Sequence, residues 1–182
     1  MALVLNGSGI TSANIVNGTI VDEDVADVAA SKRTGALPAI DGSALTGMPA
    51  GGKVLQVVQA SVATTVISTT NTFVDTGLTA TITPTSTSSK ILVFVEQSCT
   101  ATSPGYMGFN LLRGGTSIRA TTYTMHSGSG TVILQLPYNY LDSPNTTSAT
   151  VYKTQFKATN AVDVRVQSNS ASSTITLMEI GV

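Results

Sequence analysis

Residues 78–97 read LTATITPTSTSSKILVFVEQ, and their two halves carry the two patterns that decide the fold. In the first half Leu78, Ala80 and Ile82 alternate with Thr79, Thr81 and Thr83. A period of two places the aliphatic side chains on one face of a strand and the threonines on the other. In the second half KILVFVEQ is apolar without a break from Ile91 to Val95, the pattern of a central strand buried on both sides. Proline and hydroxyl residues separate the two, as a turn requires.

The same alternation extends in both directions. KVLQVVQASVA and TFVDTG precede it; YMGFNLLRGG, TSIRATTY, TVILQLPYNYLDSP, ATVYKTQFKAT, AVDVRVQS and STITLMEIGV follow it. The pair Gly114-Gly115 is a turn signal between two of these strands. Residues 53–182 thus read as nine or ten short strands with no useful helical periodicity. Regular spacing of this kind predicts a mainly β domain, an antiparallel jelly-roll-like β-sandwich, rather than βαβ units.

Composition fits that reading. Charged residues are 10% of the chain and apolar residues 42%, with a net charge of −1. Ser, Thr, Asn and Gly supply the surface in place of charge, and neutral strand faces favour association between copies. So small a net charge draws neither nucleic acid nor an anionic membrane surface. No apolar run approaches a membrane span, and MALVLNGSG lacks the basic and apolar regions of a signal peptide.

Residues 1–52 obey other rules. They hold five acids and two bases, against five acids and seven bases in residues 53–182. Leu5, Ile10, Ile15, Ile20 and Val25 recur every five residues, a period of neither strand nor helix. Such units need stacking neighbours or sister chains to be buried; a leader with chance spacing is the other reading. VDEDVADVAASKRTG predicts one short helix. Val21, Val25 and Val28 form a narrow stripe, acids stand in the first turn, and Lys32 and Arg33 stand in the last. ALPAIDGSALTGMPAGG is a linker whose apolar beads, Leu45 and Met48 among them, are unusual for a solvated tether. The expected organisation is an extended docking arm or stalk over 1–52 and a β-sandwich over 53–182.

Catalytic chemistry finds little support. Cys99 and His126 are the single cysteine and histidine, too few for a zinc site within one chain. No phosphate-loop spacing occurs. Asp75 and Asp142 sit in turn-like VDTG and LDSP, and Asp163 faces solvent beside Arg165. Glu179 reads as an outward residue of the last strand, with a buried, paired acid as the alternative. No enzyme activity, cofactor or metal is expected. Binding rests on tyrosines: Tyr106, Tyr123, Tyr138 and Tyr140, with His126, Asp142 and Asn145, form the candidate contact set for a host-surface glycan or protein. Candidate subunit or docking contacts are Ile10, Ile15, Ile20, Val25, Val28, Leu45, Met48, Leu177 and Ile180.

ITSANIVNGTIVDEDVADVAA resembles the short repeats in stalks of bacteriophage tail fibres, and LPAIDGSALTG is similar to segments that precede their distal domains. TFVDTGLTATITPTSTSSKILVFVEQ, NLLRGGTSI and ITLMEIGV resemble C-terminal domains of fibre-like phage proteins. The resemblance implies a homotrimer of β-sandwiches on a virion assembled in the bacterial cytoplasm, attached to other virion proteins through residues 1–52. Its expected role is a short fibre or a tail or baseplate appendage. The alternative is a capsid cement or decoration protein, whose arm and trimer clamp neighbouring capsomers. A glycan-cleaving depolymerase is disfavoured by the lack of a carboxylate constellation.

Overall fold

The computed structural model describes residues 52–102, 104–160 and 162–181. The five-residue repeat, the expected helix at 21–35 and the docking candidates from Ile10 to Met48 lie outside the described residues. Within them the chain forms ten strands. They are β1 Lys53–Val62, β2 Val66–Ser68, β3 Val74–Ile82, β4 Lys90–Ala101, β5 Gly105–Arg113, β6 Thr116–Ser127, β7 Val132–Asp142, β8 Thr150–Ala158, β9 Val164–Val166 and β10 Ser173–Gly181.

Eight of these build two antiparallel sheets, ordered β1-β10-β4-β7 and β3-β8-β5-β6. The short β9 pairs with the far end of β4 and carries β2 on its other side. Pairing is nested: β5 with β6, β4 with β7, β3 with β8 and β1 with β10. One long hairpin ribbon therefore folds over on itself so that its successive pairs fall alternately in the two sheets. That is the jelly-roll wrap. The closed end of the ribbon is Gly114-Gly115, joining Arg113 to its partner Thr116. Gly114 has φ 57°, which a side chain would strain.

Leu78, Ala80 and Ile82 enter the core, as their alternation with threonine predicts. They meet Ile91, Val93 and Val95 of β4, Phe109 and Leu111 of β5, and Ile175 and Leu177 of β10. KILVFVEQ is the central strand of its sheet, but it is buried on one side rather than both. Leu92 is half-buried and Phe94 is 40% exposed, because no layer covers the outer face of the sheet among the described residues.

One end of the interior is polar. The Thr154 hydroxyl donates to Gln97 Oε1 at 3.1 Å and lies 2.6 Å from the Thr76 hydroxyl. Gln97 Nε2 donates to Ser173 Oγ at 2.8 Å, which also accepts the Ser98 N–H at 2.9 Å. These bonds run across both sheets, so a slip of one strand register would leave buried polar groups unpaired. Cys99 lies beside this zone as a buried small side chain, and burial pushes its thiol up to about 12.

Candidate functional site

The two outer faces of the sandwich differ sharply in chemistry. On the β1-β10-β4-β7 sheet, registered pairing aligns Val57, Met178, Leu92 and Leu141 in one row across all four strands. Val57 is 55% exposed and Leu141 51%. Phe94 stands one step along β4, and Ile180 one step along β10 opposite Val54. Beside the row is a hollow of about 340 Å³ lined by Phe94, Glu96, Pro137, Asn139, Gln59 and Thr176, with Thr174, Val95 and Tyr138 completing it. A contiguous apolar stripe on a sheet face is an association surface unless something covers it.

The outer face of β3-β8-β5-β6 is mostly polar, with Val151 and Tyr123 its exposed large apolar side chains. Asp75 accepts Lys153 Nζ at 2.9 Å and Gln155 Nε2 at 2.7 Å. The hydrogen bond from Lys153 holds the Asp75 carboxyl below its ordinary value. Asn110 bonds Gln155 and accepts from the Ser117 hydroxyl. These side chains are paired with one another across the strands.

At one end of this polar sheet three of the candidate contact residues come together. Tyr106 and His126 are cross-strand partners on β5 and β6, stacked with ring centroids 4.3 Å apart and planes 15° from parallel. Tyr123 meets Tyr106 edge-on at 5.7 Å and 78°. Tyr106, Tyr123, Thr159 and Asn160 line an open cleft of about 440 Å³.

A bulge builds this corner. Met107 pairs with Met125 and Phe109 with Thr121, so three residues of β6 stand opposite Gly108 alone. The Thr124 hydroxyl fastens the bulge to the Met107 carbonyl at 2.9 Å. A Cβ on Gly108 would stand 3.0 Å from the Thr122 carbonyl oxygen and from Lys157 Cε. Glycine is what admits the displaced backbone, and the displacement turns Tyr123 outward. A glycine inside the strand pattern YMGFNLL was the available sequence signal for it.

The remaining candidates are placed differently. Tyr138 and Asp142 are interior rather than surface residues. Tyr138 packs edge-on to Phe109 at 5.0 Å and lies under the Arg119 guanidinium, 4.2 Å from its ring centroid. The Asp142 carboxylate accepts two contacts from Arg113 Nη1, at 2.9 and 3.0 Å, and the Tyr152 hydroxyl at 2.6 Å. It ties β7 to β5 and β8 at the end of β5 opposite Tyr106. Burial first, and then this carboxylate, push the Tyr152 phenol up. Tyr140 is half-buried against the core, and Asn145 is exposed in the β7–β8 loop with φ 52°. Leu177 is a fully buried core residue, whereas Ile180 lies on the apolar outer face.

Glu179 departs from the outward reading, since none of its surface is exposed. Its carboxylate accepts Gln56 Nε2 at 2.6 Å and both the N–H and the hydroxyl of Thr85 at 2.7 Å. Burial alone would raise its pKa, but these donors outweigh burial and hold it at about 2. The Asp163–Arg165 pair forms as its spacing predicts, with Nη2 to Oδ2 at 2.6 Å. No group of three or more His, Cys, Asp and Glu suited to a metal ion occurs among the described residues.

No protein-family model matches the sequence, and no curated protein matches it. Among solved structures, that of the infectious bursal disease virus Gx strain is similar at 12% identity with a TM-score of 0.41. The match covers 69% of this chain and 39% of that one, so the chain spans well under half the length of its structural neighbour.

Proposed function

We propose that this chain is a structural protein of a bacteriophage particle, a trimeric short fibre or tail appendage. In this reading, sandwiches of three copies pack through the apolar row Val57–Met178–Leu92–Leu141, residues 1–52 attach the trimer to the particle, and the polar sheet is displayed. The contrast between the two outer faces carries the reading. A lone sandwich in water has no use for four aligned aliphatic side chains on one sheet, and the outer face of the other sheet, with Asp75, Lys153, Gln155 and Asn110 across it, carries no such row. The resemblance of the stalk repeats and of the β region to phage fibre proteins supplies the particle.

The test is to label the protein and image whole particles. Label at the tail or baseplate is the expected result. Label spread over the icosahedral facets would overturn the appendage reading in favour of a capsid decoration. Deleting residues 1–50 should abolish attachment while the β-sandwich remains soluble and oligomeric; undiminished attachment would remove the arm from the mechanism.

A further inference from the structure

We infer that the cleft between Tyr106 and Tyr123 is a saccharide-binding site for a neutral sugar, an assignment that rests on the displayed position given to the polar sheet above. Tyr123 is 69% exposed although it lies within a strand, and the core does not require its ring. The ring is nevertheless held in place. It meets Tyr106 at 78°, and Tyr106 is backed by the stacked His126 imidazole. Two rings at nearly a right angle form an apolar corner, and each ring carries a phenol hydroxyl. A pyranose presents the matching pattern, an apolar C–H face edged by hydroxyls.

The rest of the wall is neutral and polar. Asn160 is fixed by its own bonds: its Oδ1 accepts the Tyr106 N–H at 3.2 Å, and its Nδ2 donates to the Pro104 carbonyl. Each of those atoms keeps one further hydrogen-bonding position, an oxygen lone pair and an N–H. Thr159 is tied to the Tyr106 carbonyl at 3.3 Å through its hydroxyl. None of the four lining residues carries a charge, and Lys157 of β8 is engaged over the Phe73 ring 5.0 Å away. An acidic sugar would enter this corner with no cation among the lining residues to pair with its carboxylate, so the site selects neutral hexoses and N-acetylhexosamines.

The experiment uses the full-length chain on an array of glucose-, galactose-, mannose- and N-acetylglucosamine-terminated oligosaccharides, with uronate- and sialate-terminated ones alongside. Tyr123→Ala, Tyr123→Phe and the unaltered chain are compared after circular dichroism has shown equal folding. The expected result is retention of at least one neutral series, weakened roughly tenfold or more by Tyr123→Ala and little changed by Tyr123→Phe. Retention of acidic glycans alone, equal retention by Tyr123→Ala, or no retention at all would each overturn the assignment. Particle imaging separates this outcome from the virion reading. Labelled particles without Tyr123-dependent glycan retention would refute the cleft and leave the appendage, while glycan retention by a chain absent from particles would do the reverse.

Discussion

Glu179 shows how a single side chain holds two parts of the sandwich together. Its carboxylate joins β10 to Gln56 of β1 and to Thr85 of the β3–β4 loop, and Gln56 Nε2 also donates to the Thr83 carbonyl at 2.7 Å. No cation takes part in these bonds; the negative charge is stabilised by neutral donors. The folded pKa of about 2 lies below the ordinary value of 4.5, so the linkage has a definite sign. The stabilisation is fully present above pH 4.5 and is lost as pH falls through the window toward 2. Glu179→Gln would set an amide N–H₂ against either Thr85 or the Gln56 amide and should cost about 1–3 kcal/mol at neutral pH. Urea denaturation of both proteins from pH 7 down to pH 3 checks this: the gap between them should narrow with acid. A gap independent of pH would show that the carboxylate's charge contributes nothing.

At the scale of strands, the β6 bulge links a local backbone feature to the aromatic corner. Gly108→Val would bring branched carbons against the Thr122 carbonyl and the Lys157 stem, where even a Cβ is tight. The lysine stem can swing away but the backbone carbonyl cannot, so an overpacking cost of about 1–3 kcal/mol is expected. Thermal melting should register that loss, and the change in Tyr123 environment should appear in tyrosine fluorescence. An unchanged melt and spectrum would mean the bulge does not depend on the glycine. This level also marks where sequence reading succeeds and where it stops. Alternation identified β3 and β10 because one face of each is buried, and Gly114-Gly115 identified the β5–β6 turn because its backbone needs φ > 0. Tyr106 and Tyr138 were indistinguishable as residues, since both stand in apolar strands near loop sequences. Only the non-local pairing of β7 with β4 sends Tyr138 inward, while the pairing of β5 with β6 leaves Tyr106 outward. Glu179 was opaque for the same reason: its donors lie 94 and 123 residues away in sequence.

For the whole molecule, the open question posed by the fold is what covers the apolar row. KILVFVEQ reads as a strand buried on both sides, yet the described residues bury only one of them. The pattern and the structure agree if the second layer comes from other copies, which is how neutral, aliphatic sheet faces are commonly covered. Leu92→Glu tests this directly, because Leu92 sits at the middle of the row between Met178 and Leu141 and points away from the core. A glutamate there is hydrated in a single sandwich but desolvated and unpaired once copies pack together. Lys153→Glu on the polar sheet serves as the comparison, since it changes charge by more without touching the row. Sedimentation of the full-length chain should give three times the 18.6 kDa chain mass for the unaltered protein and for Lys153→Glu. Leu92→Glu should shift the population toward the single chain by at least about tenfold in dissociation constant while circular dichroism stays the same. Equal sedimentation of all three proteins would place the subunit contacts elsewhere, and a monomeric unaltered chain would remove the trimer from the proposal altogether.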